Sequence, residues 1–159
     1  MPKKLVFLRN KFIGYTSNFV DGDVLLDCKN YDYSEFLRLY NSFINKACLE
    51  ISDQKIEIID SSVTNIMFNN DEKKFTIVDP DLWICNTEKS ILEIKSSNFK
   101  ELSYSFENLL YLCYLEYSFI DENTDFIDFY ETLRAKKEKK YSVKIKTIKD
   151  MISVGTQRR

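Results

Sequence analysis

The chain has 159 residues, of which 44% are hydrophobic and 14% aromatic, so it is long and apolar enough for one folded domain with a real core. It contains no histidine, which excludes an imidazole base and makes a zinc site of the usual Cys/His kind improbable. With only three glycines it has no long glycine-rich phosphate loop, and no run of eighteen apolar residues predicts a membrane span.

The cysteines indicate the compartment. Cys28, Cys48, Cys85 and Cys113 are widely spaced and include no C-x-x-C pair, so we expect free, mostly buried thiols in a reducing environment. The amino end leads into a short apolar run without a small-residue cleavage site, so no signal peptide is expected. Together these features predict a cytoplasmic protein.

Two strands are predicted at the amino end. Lys4 to Leu8 and Phe12 to Val20 are rich in apolar and aromatic residues, and Arg9-Asn10-Lys11 joins them as a hairpin. Val20-Asp21-Gly22-Asp23 then supplies a turn, because aspartate and glycine favour turn conformations.

The clearest helix follows that turn. Asp32 or Ser34 can cap its start, since a side-chain oxygen there accepts an otherwise unpaired backbone N–H. Apolar residues then recur at the three-then-four spacing of one buried helix face. These residues are Phe36, Leu37, Tyr40, Phe43, Ile44, Ala47, Cys48 and Ile51.

Three polar residues lie at the edges of the short strands that come next. Asp60 lies on a loop, Asn65 begins one predicted strand, and Asp79 follows another. Turn-forming residues between these two strands, at 69–74, predict a hairpin that brings Asn65 close to Asp79. Two carboxylates and an amide are oxygen ligands that suit Mg²⁺, although the same residues also serve as ordinary turn formers.

Helices are predicted in the second half of the chain. Phe99 to Phe119 contains a segment that is apolar on all sides, at Leu109 to Leu115, as is typical of a buried central helix. Thr124 or Asp125 can cap a further helix. That helix is expected to bury Phe126, Phe129, Tyr130 and Leu133. The single tryptophan, Trp83, is interpreted as half-buried core, with contact to a nucleotide or substrate as the alternative.

Charge is divided unevenly along the chain. Residues 134–159 hold ten Lys and Arg against two acidic residues, while residues 1–133 hold 13 against 23. We therefore predict a single domain at 1–133 and a basic carboxy-terminal tail at 134–159, with a final amphipathic element formed by Val143, Ile145, Ile148 and Ile152. Such a tail can contact the acidic body, acidic lipid or nucleic acid, or stay solvated. Nucleic acid is not expected, because the body is acidic and the tail has no aromatic platform apart from Tyr141.

The spacing of the polar residues resembles the catalytic and metal-binding loops of the protein-kinase-like superfamily. Asp60 and Asn65 match the D-x-x-x-x-N of its catalytic loop, and Asp79 falls where the family places its metal-binding aspartate after a hairpin. The chain departs from that pattern in having Ile58-Ile59 where protein kinases carry His-Arg and Pro80-Asp81 where they carry Phe-Gly. Small-molecule phosphotransferases of the superfamily vary more after the metal aspartate and fit better.

The resemblance implies roles for these residues. Asp60 would be the catalytic residue that orients or deprotonates an attacking hydroxyl, while Asn65 and Asp79 would hold Mg²⁺ against the phosphates of ATP. Asn18, Phe19 and Val20 would form a hinge whose backbone binds adenine. The implied fold is α+β, with residues 1–22 as a two-stranded hairpin and hinge remnant. Residues 23–133 would form a mostly helical larger lobe with a short β-hairpin at the catalytic loop.

The expected activity depends on which phosphate-binding residues precede the hinge. No glycine-rich loop, strand lysine or helix glutamate lies ahead of Asn18 to neutralise phosphate charge. We therefore expect a truncated or degenerate phosphotransferase domain with low or no activity of its own, and a protein partner or separate amino-lobe beside the hinge. If the chain is active, it is an ATP-dependent kinase. The alternative is a non-enzymatic interaction module that uses an acidic body and a basic tail.

Overall fold

The computed structural model describes residues 4–16, 19–79, 83–86, 88–111 and 123–156. Its strands are β1 (Lys4–Leu8), β2 (Lys11–Thr16), β3 (Asp23–Val24), β4 (Ile56–Glu57), β5 (Ile66–Asn69), β6 (Lys74–Ile77) and β7 (Ile84–Cys85). Its helices are a 3₁₀ helix (Leu25–Asn30), α1 (Tyr33–Ser52), α2 (Ile91–Leu109), α3 (Phe126–Tyr141) and α4 (Ile148–Thr156). The α+β class predicted from the sequence is confirmed, and so are both predicted hairpins.

Helix α1 forms as its sequence pattern predicts. Asp32 is the N-cap, and its carboxylate accepts a hydrogen bond from the Glu35 backbone N–H at 2.9 Å. The predicted apolar stripe faces inward, with Phe43 and Ile51 partly buried at its edges. Its fully buried members are Phe36, Leu37, Tyr40, Ile44, Ala47 and Cys48.

Aromatic rings from several elements meet on this stripe. The Tyr40 ring lies 5.1 Å from Phe75 of β6 and 4.9 Å from Phe106 of α2, measured between ring centroids. Its hydroxyl donates to the Leu102 carbonyl at 2.9 Å, which satisfies the one polar atom that this ring takes into the core. The β5–β6 hairpin, α1 and α2 therefore share one core.

The largest sheet has the order β3-β5-β6 and is antiparallel throughout. Asn69 shapes the turn between β5 and β6, because its side-chain oxygen accepts from the backbone N–H groups of Asp71 and Glu72 at 3.0 and 2.9 Å. Gly22 lets the chain enter β3 with φ +138°. A Cβ at this position would lie 2.5 Å from the carbonyl oxygen of Phe68, so only glycine fits.

Helix α2 differs from its prediction. It begins at Ile91, where Ser90 and Glu93 form a reciprocal capping box, and it ends at Leu109, two residues before Tyr111 adopts φ +56°. The buried helix predicted at Leu109 to Leu115 is therefore wrong at its beginning, because α2 already ends at Leu109 and residues 110 and 111 form a turn. Residues 112–115 of that predicted helix lie outside the described residues.

As far as Val154, the basic carboxy-terminal segment is packed into the fold. Helix α3, capped by Asp125, runs through Leu133 and Arg134 to Tyr141, so the predicted boundary after residue 133 falls inside a helix. The apolar residues that follow are buried in the same core as α1, namely Ile145, Ile148, Met151 and Val154. The lysines of α3 at positions 136, 139 and 140 remain exposed.

Three of the four cysteines can be placed. Cys28 and Cys48 are buried free thiols, and burial raises the pKa of each to about 12. Cys85 is free and exposed, while Cys113 lies outside the described residues. None of the helices in the described part is both long and apolar enough to cross a membrane.

Gly22→Ala is expected to destabilise the protein by about 2 kcal/mol or more, because the new Cβ meets the Phe68 carbonyl and φ is positive. Urea unfolding measures the change. Asp21→Ala, at the exposed neighbouring position, is the control and should change stability by no more than about 0.5 kcal/mol. Equal stability of Gly22→Ala and wild type would contradict the close approach of Gly22 to β5.

Candidate functional site

Asp60 and Asn65, predicted to act together, are hydrogen-bonded. The Asn65 side-chain amide donates to the Asp60 backbone carbonyl at 3.1 Å. The backbone N–H of Asn65 donates to the Ser62 carbonyl at 2.8 Å, which makes residues 62–65 a tight turn. Asp60 itself has φ +59° and is exposed, so this loop presents its carboxylate to solvent.

Asp79 lies at the same end of the β5–β6 hairpin. The strands pair Ile66 with Ile77, and the Val78 backbone N–H donates to the Asn65 carbonyl at 2.8 Å. Asp79 is the next residue, exposed and with φ +57°. The structure therefore brings the three predicted residues to one end of the hairpin, as the sequence pattern predicts.

The oxygen atoms offered there are two carboxylates and one amide. The amide oxygen of Asn65 accepts a hydrogen bond from the Thr64 hydroxyl at 3.4 Å, so it is oriented by its neighbour. No cluster of three Asp, Glu or Cys side chains suited to a metal occurs among the described residues. Mg²⁺ is usually held by one or two carboxylates together with substrate phosphates, and this set fits that mode of binding.

The segment before Asp60 is anchored to α2 by Asn98, which is fully buried. Its side-chain oxygen accepts from the Ile58 backbone N–H at 2.7 Å. Its side-chain nitrogen donates to the Ile56 carbonyl and to the Ser52 hydroxyl, each at 3.0 Å. One amide therefore satisfies buried backbone groups on both sides of Glu57, which fixes the path of the chain toward Asp60.

The residue after Asp60 is anchored as well. The Ser61 backbone N–H donates to the Glu101 carboxylate at 3.1 Å, and the Ser61 hydroxyl donates to the Glu101 carbonyl at 2.9 Å. The Ser105 hydroxyl donates to the Ser61 carbonyl. Because positions 97, 98, 101 and 105 share one face of a helix, α2 presents a polar stripe along the whole 57–61 segment.

Glu57 is a buried carboxylate within this segment, with a side chain that is 7% exposed. It accepts hydrogen bonds from the Lys89 ammonium at 2.6 Å, the Ser97 hydroxyl at 2.7 Å and the Asn86 amide at 3.1 Å. The Lys89 hydrogen bond, followed by that of Ser97, holds the pKa of Glu57 below its ordinary value. This carboxylate is charged and satisfied by donors from the protein.

The predicted hinge residues lie elsewhere. Asn18 lies outside the described residues, Phe19 is 90% exposed, and Val20 is partly buried. The chain leaves this segment through Gly22 into β3, which pairs with β5 through Asp23 and Phe68. Trp83 is partly buried against the core, which agrees with its interpretation as a half-buried core residue.

The sequence does not single out the anchoring residues Glu57, Asn98 and Ser61. Glu57 interrupts an apolar run between two isoleucines, and a charge in that position is a signal of a buried ion pair or hydrogen-bond network. Asn98 is a polar residue in the middle of a helix, where asparagine is a poor helix former and so needs a tertiary partner.

The chain matches no family model, and searches against curated proteins and solved structures found no significant match. The resemblance to the protein-kinase-like superfamily therefore rests on the residues of this hairpin and its loops. It remains a proposal.

Asn98→Ala is expected to destabilise the protein by about 3 kcal/mol, because it leaves the buried Ile58 N–H and Ile56 carbonyl without their partner. Urea unfolding followed by circular dichroism measures this. Asn45→Ala is the control, since the exposed Asn45 amide bonds only within α1, to Asn41. A loss for Asn98→Ala no larger than for the control would contradict the anchoring role.

Stability should also depend on the charge of Glu57. Its folded pKa is lowered from 4.5, so its contribution is fully present above pH 4.5 and is lost as the pH falls through the folded value. The gap in unfolding free energy between wild type and Glu57→Gln is expected to be largest at pH 6 to 7 and to shrink below pH 4.5. A gap that does not change with pH would contradict a charged Glu57.

Proposed function

We propose that this chain is a protein-kinase-like phosphotransferase domain of degenerate form, which binds Mg²⁺ and a nucleotide at the end of the β5–β6 hairpin. The observation that carries the proposal is the hydrogen bond from the Asn65 side chain to the Asp60 carbonyl. Asp79 directly follows Val78, whose backbone N–H donates to the Asn65 carbonyl. These residue types at this spacing are those that phosphoryl transfer uses to hold a metal and orient a hydroxyl.

Each residue has a distinct role in the proposal. Asn65 and Asp79 would hold Mg²⁺ through their side-chain oxygens, and the ion would neutralise charge on the phosphates. Asp60 is exposed on the other side of the 62–65 turn from Asn65. It accepts a hydrogen bond from the hydroxyl that attacks the terminal phosphate.

The packing around the site supports this proposal. Phosphoryl transfer depends on positioning and on charge stabilisation more than on covalent chemistry, so its residues need a rigid support. Asn98 and Ser61 tie the residues on either side of Asp60 to α2, and the β5–β6 pairing fixes Asn65 against Val78. The carboxylates of Asp60 and Asp79 are nevertheless exposed and free to meet a ligand.

Low activity is part of the proposal. The chain has no glycine-rich loop to enclose the phosphates, so charge stabilisation would depend on the ion that Asn65 and Asp79 would hold, or on a cation added by a partner. The proposed phosphotransferase therefore binds nucleotide better than it turns it over.

A second candidate function, a protein-interaction module, is favoured by a separate observation. Apolar side chains of the amino-terminal region are widely exposed: Phe7 is 57%, Leu8 61% and Phe19 90% exposed. Contiguous exposed apolar surface is typical of interaction sites, and Phe7 and Leu8 are neighbours at the end of β1. This function requires neither Asp60 nor Asp79.

Calorimetric titration with ATP in the presence and absence of Mg²⁺ separates the two functions. Wild type is expected to bind ATP only with Mg²⁺, and Asp79→Ala is expected to bind at least about tenfold more weakly, a change of about 1.4 kcal/mol. Asp71→Ala is the matched control, because Asp71 is an exposed aspartate in the turn at the opposite end of the same hairpin. No binding by wild type, or equal binding by Asp79→Ala, would remove the metal-site proposal.

A further inference from the structure

The chain after Asp79 folds back against the chain before Asp60. Strand β7 pairs antiparallel with β4, placing Cys85 opposite Ile56 and Ile84 opposite Glu57. The Asn86 backbone N–H extends this pairing by donating to the Lys55 carbonyl at 2.8 Å. The two segments that lead to the candidate carboxylates therefore lie side by side.

Backbone pairing alone gives this contact little strength. Each strand is two residues long, and the two form a separate two-stranded sheet in which both Ile84 and Cys85 are exposed. Isolated strand pairs of this size are at best marginally stable in water. The contact therefore needs side chains to hold it.

Glu57 supplies that support. Its carboxylate accepts from Asn86 and Lys89, which belong to the segment after Asp79, and from Ser97 on α2. Lys55, the residue before β4, adds a second link between the two segments, because its ammonium donates to the Lys89 carbonyl at 2.7 Å. One buried carboxylate thus joins the segment before Asp60, the segment after Asp79 and helix α2.

We propose that Glu57 is a positioning residue of the candidate site, which fastens the segment that follows Asp79 to the segment that precedes Asp60. Only residues 58 and 59 separate Glu57 from Asp60, and the fastened strand begins at Ile84, five residues after Asp79. Both carboxylates therefore lie within five residues of this contact along the chain. This role deepens, and rests on, the proposed Mg²⁺ and nucleotide binding.

The chemistry of the contact explains why a carboxylate is needed. All three groups aimed at Glu57 are donors, and a carboxylate is a side chain that only accepts. In Glu57→Gln an amide N–H₂ would face one of these donors, and the charge pairing with Lys89 would be lost. The variant keeps the size of the side chain but releases residues 83–86 and 88–90.

Trp83 gives a direct readout of that release, since it is the single tryptophan of the chain and lies one residue before β7. Acrylamide quenching of its fluorescence is expected to rise about twofold in Glu57→Gln and in Lys89→Met, because its partly buried ring would gain solvent contact. The Mg²⁺–ATP dissociation constant should rise about tenfold in the same variants through loss of positioning. Lys89 has a half-exposed side chain, so Lys89→Met folds even if Glu57→Gln does not.

Glu50→Gln is the matched control. Glu50 is exposed on α1 and forms a 3.8 Å ion pair with Lys46, far from the segment after Asp79 in sequence. It should leave both Trp83 quenching and nucleotide affinity unchanged. The double variant Glu57→Gln/Lys89→Met should be no worse than Glu57→Gln alone, because both changes break one contact.

The possible results separate the two proposals. Raised quenching together with weaker Mg²⁺–ATP binding supports the positioning role. Unchanged quenching in folded variants overturns it, and so does raised quenching with unchanged nucleotide affinity; in both cases the proposed function stands. No nucleotide binding by wild type overturns the proposed function and the positioning role together.

Discussion

The buried Asn98 amide is the contact on which the candidate site depends. This fully buried side chain lies in the middle of α2 and bonds to backbone groups of Ile56 and Ile58. The strand at this point, β4, is two residues long, so backbone pairing alone gives the segment little support. Leaving those groups unpaired in the core would cost more than the hydrogen bonds themselves contribute. The 56–61 segment therefore follows α2, and the exposed position of Asp60 is a consequence of that path.

The acidic residues near this segment divide into two kinds. Glu57 is buried, and its carboxylate accepts hydrogen bonds from three donors of the protein, so it stabilises the fold. Asp60 and Asp79 are exposed, with their backbones fixed in left-handed conformations by the turn and the hairpin. An exposed carboxylate can meet a hydrated cation or a substrate hydroxyl, and this contrast is why we propose Asp79 and Asp60 for those two roles rather than Glu57.

The sequence predicts those features that are encoded locally. The stripe of α1 and the turn of the β5–β6 hairpin follow from periodicity and turn chemistry, and this hairpin brings Asn65 and Asp79 to the same end, as predicted. The amino-terminal half of α2 escapes prediction because it presents polar side chains, among them Ser97 and Asn98, to the 56–61 segment beside the buried Ile94. Glu57 and Asn98 likewise acquire their roles from partners that lie 29 to 46 residues away in the chain, which no local pattern reveals.

The central claim is that Asp60, Asn65 and Asp79 form one site for a divalent cation with a nucleotide. Replacing Mg²⁺ with paramagnetic Mn²⁺ in the presence of ATP tests it directly by nuclear magnetic resonance of the ¹⁵N-labelled chain. The account predicts that the amide signals of these three residues broaden first, while those of Asp71 and of α4 persist. Broadening centred on other residues, or none at all, would contradict it.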